Sequence, residues 1–313
     1  MTATIEPLSN ETELMATGRS GPWREVLHNL VRQRSTQVGA ILLSVLVFMA
    51  LGADFIAPFP PDMVLLGAED GVTARGKPCI HALGCPIDQP EHLMGTDGNF
   101  RDLFSRVVYG ARVSLFIGFV TVGFAIVVGA AIGAVAGFAG GRSDNLLMRG
   151  MDVLLVFPAL LLAIAIVTVL GPGLINAQLA IGIVAIPIYA RIMRASVLTV
   201  REQDFVIASR ALGESSRGLL VRRILPNALT PVVVAGTLGI ATAILEVAAL
   251  SFLGLGAQPP LAEWGSMIGA ERNQLFAAPH LIFFPGLALA VTVLAFNLIG
   301  DGLRDALDPR LNR

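Results

Sequence analysis

Two cysteines flank a histidine in Cys79-Ile-His81-Ala-Leu-Gly-Cys85, and His92 follows closely. In an oxidising compartment this spacing can close a small disulfide loop. Two free thiols, or a metal held with His81 and His92, are the alternatives. Metal sites of this kind use four convergent ligands, and nothing in the pattern fixes these two histidines in space. Just upstream, Gly71-Val-Thr-Ala-Arg-Gly-Lys77 matches the G-x4-G-K part of a phosphate-binding loop. Such a loop needs Ser or Thr next, to hold magnesium, and must join a strand to a helix. Here Pro78 follows, within irregular sequence, so the match is discounted. The apolar stretches hold no H-E-x-x-H, no G-x-S-x-G and no paired carboxylates at helical spacing, which argues against a membrane-embedded hydrolase. Glu246 is the one ionisable residue well inside such a stretch. A charge there must face protein or a water-filled cavity. It lines a route for a charged solute, pairs with an arginine, or sits protonated against backbone. Asn297 is a second candidate for the same route, with bridging between helices as its alternative role.

These residues are carried by a membrane chain. Of 313 residues, 54% are hydrophobic and 14% charged, against about 25% charged in soluble domains. The apolar residues fall in blocks long enough to cross a hydrocarbon core of ~30 Å as helix. Six spans are predicted, at 38–57, 112–137, 148–170, 174–190, 230–256 and 281–300. The polar first 37 residues end in Arg32-Gln33-Arg34, unlike a cleaved signal peptide, and the first span is read as a retained anchor. Asn10-Glu11-Thr12 fits a glycosylation sequon but falls in the tail read as cytoplasmic, and is discounted as chance.

With the N-terminus inside, sixteen of the 22 Lys and Arg residues fall on the inner side. These are Arg19, Arg24, Arg32, Arg34, Arg142, Arg149, Arg191, Arg194, Arg201, Arg210, Arg217, Arg222, Arg223, Arg304, Arg310 and Arg313. Positive residues favour the cytoplasmic side, so both termini are placed there. Arg101, Arg106 and Arg112 run against the bias. Their spacing predicts an amphipathic helix over 101–112, lying at the outer surface and feeding the second span. The net charge of −1 gives no sign of nucleic-acid binding.

Gly129, Gly133, Gly137 and Gly141 recur every fourth residue. Small residues at that spacing let helix backbones approach closely where lipid offers no hydrophobic drive. Pro158 and Pro187 each permit a kink in spans three and four.

The long polar stretch from Arg191 to Asn227 must emerge into water. It carries Ala208-Ser209-Arg210-Ala211-Leu212-Gly213 and, farther on, Leu225-Pro226-Asn227. Asp204 to Leu220 is predicted to form one or two short helices, with Gly213 at a tight turn or a close backbone approach. A short helix can insert in the groove of a soluble partner; a plain basic loop held by lipid headgroups is the alternative.

Arg210-Ala-Leu-Gly213 followed by Ile224-Leu-Pro-Asn227 resembles the EAA loop of permease subunits in ABC importers. The wider similarity is to the dipeptide/oligopeptide/nickel permease group, in the subunit type with a large outer loop after its first span. It is carried by His92-Leu-Met-Gly-Thr-Asp97, Arg101-Asp102-Leu-Phe-Ser-Arg106, Tyr109-Gly-Ala-Arg112, Leu250-Ser-Phe-Leu-Gly-Leu-Gly256, Pro259-Pro260, Trp264-Gly265 and Asn297 through Pro309. Two departures stand out. Ile207 occupies the position of the naming glutamate and Ser209 that of the second alanine, so the acidic contact is absent or moves to Glu202 or Asp204.

The resemblance implies an all-α integral membrane fold with six transmembrane helices, a five-helix MetI-like permease core plus one extra N-terminal span. Its expected divisions are a cytoplasmic tail (1–37), the first span (38–57) and an extracytoplasmic segment with the amphipathic helix (58–111). A core (112–303) follows, containing the coupling loop (191–229), and then a C-terminal tail (304–313). It implies a bacterial inner-membrane subunit that pairs with a sibling permease. Two cytoplasmic ATP-binding subunits, which carry ATP and Mg, dock below, one of them on this loop. An extracytoplasmic binding protein delivers the solute from above. The chain itself binds no cofactor, and its other contacts are with membrane lipid. The rival reading is a secondary transporter driven by an ion gradient, which needs ionisable relays or repeated halves at mid-membrane. Only Glu246 qualifies, and no internal repeat is visible. A structural membrane anchor is a third reading, which leaves the pathway residues without purpose.

Overall fold

The computed structural model describes residues 33–307. The sequon at Asn10–Thr12, most of the N-terminal tail with Arg19, Arg24 and Arg32, and Pro309, Arg310 and Arg313 lie outside the described residues. Nine principal helices run in order: α1 Arg34–Leu51, α2 Leu103–Ala139, α3 Gly141–Val156, α4 Ala159–Leu170, α5 Leu174–Val200, α6 Asp204–Ala211, α7 Thr230–Phe252, α8 Trp264–Glu271 and α9 His280–Leu307. Extended structure among the described residues is limited to three isolated bridges.

Helices α1, α2, α5, α7 and α9 are each long and apolar enough to cross a membrane. The span expected at 148–170 differs. Helices α3 and α4 meet at 92° across Phe157 and Pro158. The proline ring drives the preceding residue out of helical backbone, and Phe157 is extended, with φ −85° and ψ 141°. The twelve residues of α4 span only about 18 Å. Arg142, Asp144, Arg149 and Asp152 charge the α3 half. Arg194 of α5 holds Asp144 through two bonds of 2.5 and 2.6 Å, and Arg191 holds Asp152 at 2.5 Å. Pro187, by contrast, sits inside α5 without breaking it.

The most extensive packing joins α2 to α5, and glycine is the reason. A Cβ on Gly129 would lie 2.7 Å from the Ile186 carbonyl oxygen. One on Gly133 would collide with the Ala190 carbonyl, and one on Gly137 would meet the Arg194 carbonyl at 2.9 Å. The two backbones are in direct contact over two turns. Gly141, the fourth member of the repeat, lies outside this seam; it starts α3 at φ +57° with open space around it. The extra helix α1 docks on α9 by the same device, Gly39 against Ala295 and Leu298, and Gly302 against Thr36.

Helix α2 starts nine residues earlier than the span expected at 112. Asp102 caps it, accepting the Ser105 N–H at 2.7 Å and also the His92 ring N–H at 2.9 Å. The amphipathic surface helix expected over 101–112 is therefore absent as a separate element. Arg101 precedes the helix and pairs with Asp97 at 2.8 Å. Arg106 is buried, donating to the Pro61 carbonyl at 2.8 Å. Arg112 pairs with Asp54 at 2.8 Å and holds that carboxyl below the usual carboxylate range. Ion pairing and burial, not a lipid surface, account for all three arginines.

Residues 58–102 form an irregular cap on this end of the bundle. Cys79 and Cys85 are joined in a disulfide with Cα atoms 5.4 Å apart. His81 bonds the Gln89 carbonyl, and His92 bonds Asp102. The cap is tied down by Glu271 at the end of α8, which accepts from Arg75 Nε at 2.9 Å and from the Gly98 N–H at 3.0 Å. Glu271→Gln is expected to loosen the cap by about 2 kcal/mol, the worth of hydrogen bonds to a charged group. Hydrogen exchange at the amides of residues 95–101 checks this; unchanged protection there would refute it.

Candidate functional site

At the opposite end of the bundle, α5 continues to Val200 and the chain then leaves the helical core. The polar loop is thus shorter than expected, because Arg191 and Arg194 still belong to α5. Helix α6 covers Asp204–Ala211. Val206 is its buried anchor. It lies against the segment that returns to the bundle, Ser216–Gly218, a π-helical turn at Leu219–Ile224, and Leu225–Ala228. In that return, Leu219, Ile224 and Ala228 are buried and fix the segment to the core.

The end of α6 is closed by a hydrogen-bond pair of the Schellman type. The Glu214 N–H donates to Ser209 O at 3.1 Å, and the Gly213 N–H donates to Arg210 O at 3.0 Å. Gly213 takes φ +85° and has nothing within 4 Å of where a Cβ would stand. Of its two expected roles, the turn is the one observed. Glu214 then reaches Arg223 Nε at 3.0 Å, bracing the turn against the returning segment. The Ser209 hydroxyl donates to Phe205 O inside the helix.

What this leaves outward is mixed apolar and basic. Leu212 is 89% exposed, Ile207 50% and Phe205 40%. Ala208, Arg210 and Ala211 are exposed beside them, and Pro226 stands exposed on the returning segment while Leu225 is half-buried. Phe205 and the outward face of Ile207 were not singled out by motif spacing; the signal available was two large apolar residues in a polar loop. Of the acids near the glutamate position, Glu202 is engaged by Arg201 at 2.8 Å, while Asp204 is exposed at the helix start.

The two pathway candidates are not joined by any hydrogen bond. Glu246 lies half-buried on α7. Asn297 is exposed on α9.

At the end of the bundle under the irregular cap, Trp264 is fully buried and donates its indole N–H to Val107 O at 3.0 Å. Glu263 caps α8 by accepting the N–H groups of Gly265 and Ser266, both at 2.8 Å. Burial pushes this carboxyl above its ordinary pKa, and the two backbone N–H groups pull the other way.

Two family models match parts of the chain. Residues 129–313 match the model of the binding-protein-dependent transport system inner membrane component, and residues 21–74 that of the N-terminal transmembrane domain of oligopeptide transport permease C. A dipeptide transport system permease protein of Alkalihalophilus pseudofirmus is 42% identical, over 98% of this chain and 96% of that protein. A di/tripeptide transport system permease protein of Pseudomonas aeruginosa is 42% identical over 93% of each chain. A glutathione transport system permease protein of Escherichia coli is 41% identical over 93% and 91%. In fold, an inward-facing MetNI methionine ABC transporter structure matches with a TM-score of 0.54 at 19% identity, over 66% of this chain and 98% of that one.

Proposed function

The chain belongs to the family of binding-protein-dependent transport system inner membrane components, as a non-enzymatic ABC importer permease subunit, and from that premise we propose that it forms half of the pathway for di- or oligopeptides or a related small solute. Its partners in the inner membrane are other components of an ABC importer. In the proposed assembly these are one sibling permease, two ATP-binding subunits with ATP and Mg, and a binding protein that delivers the solute. Both termini and α6 lie on the cytoplasmic side, and the disulfide-closed cap lies outside. Glu246 and Asn297 face the surface shared with the sibling permease and line the route.

The observation that carries this reading is the exposed apolar tip of α6, set on a rigid turn and backed by a buried anchor. Such a helix transmits a push. When ATP closes the ATPase pair, Ala208–Gly213 moves with it, and the movement reaches α5 and α7 through the segments at either end of the loop. The nucleotide shifts the bundle only through its different affinity for the two states.

The test is uptake of alanyl-alanine by proteoliposomes holding the whole complex and its binding protein. Vanadate is expected to stop uptake, and an uncoupler to leave it intact. Uptake that survives vanadate and dies with the uncoupler would establish ion-gradient transport instead.

A further inference from the structure

A cavity of about 350 Å³ opens at the outer end of the bundle, between the start of α2, the 253–262 loop and α8. That volume is in the range of small-solute sites. Arg101, Arg106 and Arg272 all line it, with Asp97 and Glu271 as its acids. The acids are already committed. Glu271 is neutralised by Arg75, which does not line the cavity. Asp97 serves both Arg101 at 2.8 Å and Arg106 at 3.5 Å, and accepts the N–H groups of Asn99 and Arg101 besides. Asp97 is thus left to offset three guanidiniums.

The guanidiniums are not fully used. Arg106 spends one terminal nitrogen on the carbonyls of Pro61 and Pro260. Arg101, whose side chain is only 11% exposed, donates through Nε alone; its two terminal nitrogens have no acceptor among the described residues. Arg272, at the rim, donates to Gly269 O at 2.8 Å and has no carboxylate partner among the described residues. Apolar walls from Leu103, Phe252, Met267 and Leu281 complete the lining. A guanidinium fork with spare donors matches a carboxylate in two parallel hydrogen bonds.

We propose that this cavity binds the carboxylate of a small solute, in the transported case the C-terminal carboxylate of a short peptide; the peptide part rests on the function proposed above, and the carboxylate part on the cavity alone. The site lies at the outer mouth, where a solute released from a binding protein would first meet the permease. The free carboxylate seats between Arg101 and Arg272, and the side chains of the solute lie on the apolar walls.

Arg101→Gln also breaks the Asp97 pair, so Arg272→Gln at the exposed rim carries the test. The assembled complex in lipid nanodiscs is titrated by saturation-transfer NMR with propionate and with alanyl-alanine, each against its amide. Both acids are expected to bind at least tenfold more tightly than their amides. Arg272→Gln should weaken both acids roughly tenfold at an unchanged melting temperature, and Arg272→Lys should restore part of the loss. Binding of propionate but not of alanyl-alanine would sustain the carboxylate site and remove the peptide assignment. Equal binding of acids and amides would overturn the site. So would an Arg272→Gln complex that binds propionate normally but docks its binding protein poorly, since Arg272 would then serve docking.

Discussion

Gly133→Leu is expected to abolish the folded permease. The side chain has nowhere to go: a Cβ alone collides with the Ala190 carbonyl and stands 3.0 Å from the Arg194 nitrogen. Both neighbours are backbone in the middle of α5, so no rotamer change relieves the contact. Overpacking a core commonly costs about 1–3 kcal/mol. Here the cost should exceed that range, because the whole of α5 must slide outward. The slide would also open the Gly129 and Gly137 contacts with Ile186, Tyr189 and Val197, and it would strain the paired Arg194–Asp144 bonds that pin α3. In lipid no hydrophobic effect compensates for lost close packing. Gly123→Leu provides the control, since it lies on the same helix with nothing within 4 Å of its Cβ. Fluorescence-detected size exclusion and thermal melting in detergent should show loss of the monodisperse peak for Gly133→Leu and a normal peak for Gly123→Leu. A normal melt for Gly133→Leu would mean that the two backbones do not touch.

That seam was legible in the sequence because a four-residue glycine period has one physical meaning on a helix. Its end was not: Gly141 has the right spacing but follows Gly140, where the chain has already turned to φ +65°. The two span prolines looked alike by composition and behave differently. Pro158 separates a charged half from an apolar half, so the break lets each find its own environment. Pro187 lies within one continuous α5, which runs on through it to Arg191 and Arg194. The arginine row over 101–112 departs from the sequence expectation for a further reason. Arg101, Arg106 and Arg112 have helical spacing, which is a local signal, while Asp54 and the Pro61 and Pro260 carbonyls, which Arg112 and Arg106 meet, are set by the tertiary fold, and Arg101 pairs with Asp97, four residues earlier, before the helix begins. Spacing reports which residues share a face. It does not report what that face meets. In the loop after α5 the turn at Gly213 and the short α6 are local features that follow from neighbours in sequence. The outward face at Phe205 and Ile207 depended on which side Val206 buries, and only packing against Leu219–Ile224 decides that.

Leu212→Asp is expected to cut ATP-driven uptake by roughly thirtyfold without loss of the permease from the membrane. Leu212 is 89% exposed and contributes nothing to the core of its own chain, so the substitution should leave the melt unchanged. A large apolar residue held at the tip of a rigid turn suits an anchor in a partner pocket, and losing such an anchor costs about 2 kcal/mol or more. Gly213 tests the turn beneath it. At φ +85° a β-branched residue is strained by about 1–2 kcal/mol, whereas asparagine tolerates this region. Gly213→Val should therefore misdirect Leu212 and lose most coupling, while Gly213→Asn should keep much of it, although both have open space around the new side chain. The order of effects separates shape from size: valine is no bulkier than asparagine in any way that the empty surroundings could sense. Uptake and binding-protein-stimulated ATPase activity, measured on the same reconstituted complexes, decide the matter. Normal values for both Leu212→Asp and Gly213→Val would show that α6 is not the coupler. Equal defects in Gly213→Val and Gly213→Asn would show that the glycine is needed for close approach of a partner and not for the turn.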